Sequence, residues 1–324
     1  MAPSRPISIR RTRVSSPAAR LLGTLACVLL ALALAPTVAW AWTPGTHILL
    51  GEAVLRSAAL LPPAIAALLR AHPHEFLYGS IAADTSIAKK YAKFGRHCHS
   101  WAVGLEILEE ARDEPVRAFA YGYLAHLAAD AVAHNYFVPH QLAVTTSTSA
   151  LGHSYWESRF ETHIGDTFPR RAHEIILLDH TRSDEHLDRI LSPTIFSTPT
   201  NRRIFRGMVY VTDTGSWQRI FMLMAENSRW DLEEREVSRY LTRSFDFVID
   251  FLVRDASSDP YRLDPSGDRA LRAAKLVRRA AMRSGGDDAV RAEAEREFGL
   301  PPSDLAFTRS LGTPLYVPAL APRS

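Results

Sequence analysis

The run Gly122-Tyr-Leu-Ala-His126-Leu-Ala-Ala-Asp130-Ala-Val-Ala-His134-Asn-Tyr constrains this chain more than any other stretch. Three metal-competent side chains recur there at four-residue steps, among residues that are otherwise mostly Ala, Leu and Val. Each such step advances about 40° past a full helical turn, so His126, Asp130 and His134 share one face of an α-helix. Burying three polar groups on an alanine-rich helix is costly unless something satisfies them, and a bound cation is the usual partner. The competing reading is a core helix whose histidines and aspartate hydrogen-bond one another. The rest of the chain decides between them.

Length and composition bound the answer. A chain of 324 residues, 47% of them hydrophobic, allows one large domain or two small ones with an ample core. The formal charge of +3 misleads, because five of the 38 basic residues (Arg5, Arg10, Arg11, Arg13 and Arg20) fall in residues 1–41, which contain no acid. The remainder holds 33 basic against 35 acidic residues. A near-neutral chain does not favour nucleic acid as a partner.

Those first 41 residues read as a secretory signal. An arginine-rich start leads into an apolar run over residues 21–35, then Pro36 and the small-residue pattern Ala39-Trp40-Ala41. An uncleaved membrane anchor competes with this reading, but the run is shorter than a span of roughly 20 residues and Pro36 interrupts it. Cleavage between Ala41 and Trp42 predicts a secreted or periplasmic protein that begins at Trp42. A free α-amino group and its neighbouring carbonyl oxygen can chelate a metal together, so Trp42 is itself a candidate ligand. Of the two cysteines, Cys27 lies in the leader, which leaves Cys98 without an internal disulfide partner.

Further candidates flank the central run. Thr46 reads as the N-cap of a helix opened by His47, Ile48 and Leu49. Asp84 ends an apolar stretch as either a cap or a ligand. His97-Cys98-His99 puts two imidazoles on one side if the segment is extended, and Ser100 can cap a helix over 101–111. His153 and Glu157 are four apart on a helical face, where a solvated ion pair is the bland alternative. His72 and His74 flank a proline and read as solvated, and residues 135–146 read as an aromatic and polar loop. Imidazole with carboxylate, without paired thiolates, describes hydrolytic zinc sites better than structural ones. Farther on, residues 238–253 predict a core helix, and Asp264-Pro-Ser-Gly marks a linker. A basic helix follows, through Arg269, Arg272, Lys275, Arg279 and Arg283, with a face either solvated or in peripheral contact with anionic membrane lipid.

In order, the chain carries an N-terminal Trp, a His soon after it, an Asp, a His, H-x-x-x-D, another His and H-x-x-x-E. From Trp42 to about Glu161 this resembles the zinc-dependent phospholipase C family. The resemblance implies an all-α, multi-helix bundle around a cleft for up to three zinc ions, over residues 42–255, with a small helical extension over 256–324. Carried over, Trp42 (amine and carbonyl), His47 and Asp130 hold one zinc. Asp84, one of His99 or His97, His126 and the bridging Asp130 hold a second, with His99 preferred. His134, His153 and Glu157 hold the third. One departure stands out: in the secreted members the last His of the central motif follows the Asp at a longer spacing, whereas His134 comes four residues after Asp130 and stays on the helix. The implied reaction is attack of a zinc-bound hydroxide on a phospholipid substrate, releasing diacylglycerol and a phosphorylated headgroup, with Asp84 orienting the water as general base. A single-strand nuclease of the related group and a non-catalytic, zinc-stabilised helical protein are the alternatives.

Overall fold

The computed structural model describes residues 42–86, 96–145, 149–214 and 230–316, with residues 219, 223 and 228 between the last two blocks. The expected signal segment, up to Ala41, lies outside the described residues. Among these, every regular element is helical, so the chain is all-α. None of the described helices is long and apolar enough to cross a membrane.

Prolines open the first helices. α1 (Pro44–Arg56), α2 (Pro63–Ala71) and α3 (Pro73–Ala82) each carry one in the first turn, where a missing N–H costs nothing and the fixed φ suits the helix. The start of α1 is therefore set by Pro44, with Thr43 at the N-cap, and Thr46 is buried inside the first turn instead of capping it. For the same reason His74 belongs to the first turn of α3 and not to a loop. Asp84 follows α3 in a 3-10 turn, Ala83–Thr85. α4 (Trp101–Glu109) starts after Ser100, whose side chain makes no capping bond.

α5 (Glu114–Val132) is the central helix. Asp113 caps it, accepting a hydrogen bond from the Val116 N–H at 2.9 Å. From Ala118 onward nearly every residue is buried, which is what a helix with neighbours on all sides requires. α3, α4 and α11 (Glu234–Arg254) pack against it. One close approach is glycine against glycine. A β-carbon on Gly79 would stand 2.0 Å from the Phe119 carbonyl oxygen, and one on Gly122 would stand 2.0 Å from that of Phe76. Backbone touches backbone there, and this crossing brings the end of α3, with Ser80 and Asp84, up to His126 and Asp130.

The segment read as a loop after residue 135 is helical. α5 runs through a π-turn, Ala133–Phe137, into α6 (Val138–Val144). Pro139 supplies the reason: in an unbroken α-helix its ring would clash with the carbonyl of Asn135, and it has no N–H to offer. A π-turn absorbs that conflict without ending the helix. His134 thus sits in the widened turn, with its Nδ1 3.9 Å from Oδ2 of Asp130 four residues earlier.

α7 (Ser149–Ile164), α8 (Thr167–Ile176), α9 (Thr181–Ile190) and α10 (Thr198–Thr212) follow. The core helix expected over 238–253 is α11. Beyond it, α12 (Asp268–Phe298) is one long element kinked at Gly285 and Gly286. It packs along α6 and the π-turn, and Arg278 Nη1 donates to the Ala143 carbonyl, near the end of α6, at 3.0 Å.

Candidate metal centre

Eight of the candidate ligands converge: His47 from α1, Asp84 from the turn after α3, His99 from the bend before α4, His126 and Asp130 from α5, His134 from the π-turn, and His153 and Glu157 from α7. None is more than 3% exposed. They fall into three groups: His47, His126 and Asp130; Asp84, His99 and His126; His134, His153 and Glu157. Within each group, one donor atom per residue lies within 4.8 Å of the others.

Asp130 is the hub. Its Oδ1 lies 3.3 Å from His47 Nε2, and its Oδ2 lies 2.9 Å from His99 Nε2 and 3.1 Å from His126 Nε2. Asp84 Oδ1 is 3.3 Å from His99 Nε2 and 3.9 Å from His126 Nε2. In the third group, His153 Nε2 stands 2.6 Å from Glu157 Oε1.

The electrostatics keep both aspartates charged. Burial pushes Asp130 and Asp84 upward, but the imidazoles around them, His126 foremost, outweigh it and hold both below the ordinary carboxylate range. The histidines divide. Burial, with the neighbouring His126, lowers His47; burial also pulls on His126, but Asp130 and Asp84 more than reverse it and raise that residue.

Despite this proximity, none of the four carboxylate oxygens of Asp84 and Asp130, nor His47 Nε2, makes a hydrogen bond of adequate geometry. All are sealed from solvent. An ionised carboxylate in that condition costs several kcal/mol unless a counter-charge compensates it. His126 Nε2 and His99 Nε2 lie within hydrogen-bond distance of each other, at 3.2 Å, but buried carboxylate oxygens set among imidazole nitrogens without adequate hydrogen bonds are arranged as ligands of cations are. A set of imidazoles and carboxylates suits zinc.

Backbone carbonyls orient two of the imidazoles. His126 Nδ1–H donates to the Ser80 carbonyl at 2.9 Å, one of the terminal carbonyls of α3 that has no donor from its own helix. His134 Nδ1–H donates to the Pro265 carbonyl at 2.5 Å. Each bond fixes a tautomer that turns Nε2 toward the cluster.

Residues 97–99 form a bend and not an extended segment, so the two imidazoles do not share a face. His99 joins the cluster, while His97 stays half-buried outside the three groups. The Trp42 ring is buried against Phe137 and Phe160, with centroids 5.2 and 4.2 Å away, and its Nε1–H donates to the Ala129 carbonyl at 3.1 Å. That pins the first described residue to the turn of α5 that carries Asp130. The later histidines have structural partners: His173 with Asp213 at 2.7 Å, His180 with the Ile175 carbonyl at 2.7 Å and His186 with the Ile107 carbonyl at 2.8 Å.

Glu161 escaped the reading from sequence, although it follows Glu157 by four residues on the same helical face. Its Oε1 accepts the Gly45 N–H at 3.0 Å, which ties α7 to the first turn of α1 just before His47. Burial raises its pKa from 4.5 to about 7, against the opposing bonds from Thr43 and Gly45.

No curated protein and no solved structure matches this chain. A family model described as zinc dependent phospholipase C does match, over residues 46–198. That span contains all eight converging residues. Over residues 46–198, this chain matches the zinc-dependent phospholipase C family.

Proposed function

We propose that the protein is a zinc-dependent phosphodiester hydrolase that cleaves phospholipid to diacylglycerol and a phosphorylated headgroup. The observation that carries this reading is the place of one buried carboxylate, Asp130, between His47 of the first group and His99 of the second, with His126 common to both groups. One oxygen faces His47 and the other faces His99 and His126. A shared carboxylate holds neighbouring cations close enough to act on one phosphate.

Trp42, through its amine and carbonyl, with His47 and Asp130, would hold one zinc. Asp84, His99, His126 and Asp130 would hold the second, and His134, His153 and Glu157 the third. Bound there, zinc supplies Lewis acidity toward the phosphoryl oxygens and lowers the pKa of water. The chain's own groups do the rest. Asp84 is kept ionised with Oδ1 turned to His99 and His126, which leaves Oδ2 to take the proton of the attacking water. The carbonyls of Ser80 and Pro265 hold the rings of His126 and His134 in place while negative charge gathers on the oxygens around phosphorus. The arginine-rich leader and Ala39-Trp40-Ala41 support export to the periplasm or beyond, and removal of the leader would free the Trp42 amine.

Zinc-loaded protein beginning at Trp42, incubated with phosphatidylcholine vesicles, tests the proposal. Phosphocholine release that chelator abolishes and zinc restores is the expected result, with no cleavage of single-stranded DNA in parallel. Cleavage of DNA alone would reassign the chain as a nuclease. Hydrolysis of neither substrate would leave a helical protein in which zinc is a structural staple.

A further inference from the structure

The segment after α11 grips the helix that carries the candidate ligands, and it does so outside the family match. Three consecutive carbonyls of this segment each accept a side-chain N–H. Leu263 O takes Trp101 Nε1–H at 2.8 Å, Asp264 O takes Asn135 Nδ2–H at 2.8 Å, and Pro265 O takes His134 Nδ1–H at 2.5 Å. Two of the donors are adjacent residues of the π-turn. Asn135 Nδ2 also donates to the Ala131 carbonyl at 2.9 Å, which holds its amide between the helix and the strap.

The sequence of the strap explains why its carbonyls stay put. Asp264-Pro265-Ser266-Gly267 closes a β-turn in which the Gly267 N–H donates to Asp264 O at 3.0 Å. Pro265 at the second position fixes φ. The Asp264 carboxylate accepts from the Ser266 N–H at 2.9 Å and from its hydroxyl, a further local brace. Gly267 has φ of +58° and presses on the π-turn: a β-carbon there would stand 2.3 Å from the His134 carbonyl oxygen and 2.4 Å from its Cβ. A left-handed backbone and the lack of room for any side chain both call for glycine at this position.

We infer that the strap Leu263–Gly267 is a positioning element for the third metal group. Its Pro265 carbonyl holds His134 in the tautomer and orientation that present Nε2 to an ion shared with His153 and Glu157. This accounts for the short spacing of His134. The helix widens into a π-turn at His134, and a rigid turn from the C-terminal segment sets the direction of the imidazole from outside. The inference rests on reading His134, His153 and Glu157 as metal ligands, and the experiment separates the two.

Zinc is counted per chain, after loading and dialysis, in the full processed protein and in the variants Asn135→Ala, Gly267→Ala and His153→Ala. The expected result is that His153→Ala loses one ion and that both strap variants bind that same ion about 10- to 100-fold more weakly, the usual effect of removing an outer-shell partner. The other two ions stay, and the Nδ1–H signal of His134 in spectra of 15N-histidine-labelled protein broadens or moves. If His153→Ala keeps the full count, the third group is not a metal site and the underlying reading fails. If His153→Ala loses an ion while the strap variants hold it at wild-type affinity, the strap has no positioning role. Loss of all ions together would mean that the strap supports the fold and not one site. Asn135→Ala decides the matter should Gly267→Ala fail to fold.

Discussion

His47 and His126 stack face to face, their ring centroids 3.9 Å apart and their planes 16° from parallel, and both direct Nε2 at the carboxylate of Asp130. Two imidazoles in that position repel when both are protonated, which helps to lower the pKa of His47 beside His126, itself raised by Asp130 and Asp84. Asp130→Asn keeps the shape of the side chain and removes the charge that the two groups share. We expect it to release two zinc ions and to reduce phospholipid hydrolysis more than about 100-fold, beyond the usual cost of an outer-shell change. Metal analysis that finds one ion lost, or none, would contradict the bridging role.

The contact between Gly79 and Gly122 makes a second prediction. Gly122→Ala would drive a methyl group into the Phe76 carbonyl oxygen, which is backbone and has no rotamer to yield. The two helices must separate, at the upper end of about 1–3 kcal/mol for overpacking, and Ser80 would withdraw from His126. Gly207, exposed in α10 with nothing within 4 Å of where a β-carbon would stand, is the control. Gly207→Ala should be neutral or stabilising by up to about 1 kcal/mol through helix propensity. Urea unfolding of the two variants, with zinc present at equal excess, measures the contrast.

Much of the site was legible because its spacing survives burial. His126 and Asp130 share a face for reasons of helical geometry alone, and His153 with Glu157 repeats the pattern on α7. The H-x-H segment was harder to resolve, since the choice of His99 over His97 depends on a bend that alternation rules do not foresee. The path of the chain after Asn135 was misread for a definite reason. Pro139 signals a break in an α-helix, and the structure answers it with a π-turn, which the same residues do not distinguish from a loop. The glycine crossing and the strap lay beyond reach in another way. A glycine has no side chain to enter a hydrophobic pattern, and a backbone carbonyl such as that of Pro265 leaves no trace in residue identity. What pointed to the strap, the turn sequence Asp264-Pro-Ser-Gly, looked like a linker, and in the structure it is a rigid contact on His134.

Removal of metal should destabilise the fold as well as silence it. The oxygens of Asp84 and Asp130 are buried, charged and without adequate hydrogen bonds, so a bound cation would compensate them and its removal would expose the cost. At a thousandfold excess of zinc over its dissociation constant, each ion contributes about 4 kcal/mol. Chelation should therefore lower the melting temperature by about 8 °C or more. Zinc should restore it in a concentration-dependent way, and magnesium, which prefers oxygen ligands, should not. A melting curve indifferent to chelator would mean that the cluster is stable as a network of histidines and aspartates.

Glu161 gives the last prediction a sign. Its pKa is raised by burial from 4.5 to about 7 in the folded protein, so the folded state keeps a proton that the unfolded chain has already released. Its contribution to stability is fully present below about pH 4.5 and is lost as pH rises toward about 7, because ionisation there is more favourable in the unfolded state. Glu161→Gln retains an oxygen for the Gly45 N–H and has no proton to lose. The unfolding free energy of the wild type minus that of the variant should therefore fall across this interval and level off above it. Taking the difference at equal zinc cancels the protons released by metal binding, which both proteins share. A difference that stays flat through the interval would show that Glu161 is solvated and ordinary, and that its bond to α1 does not depend on its protonation.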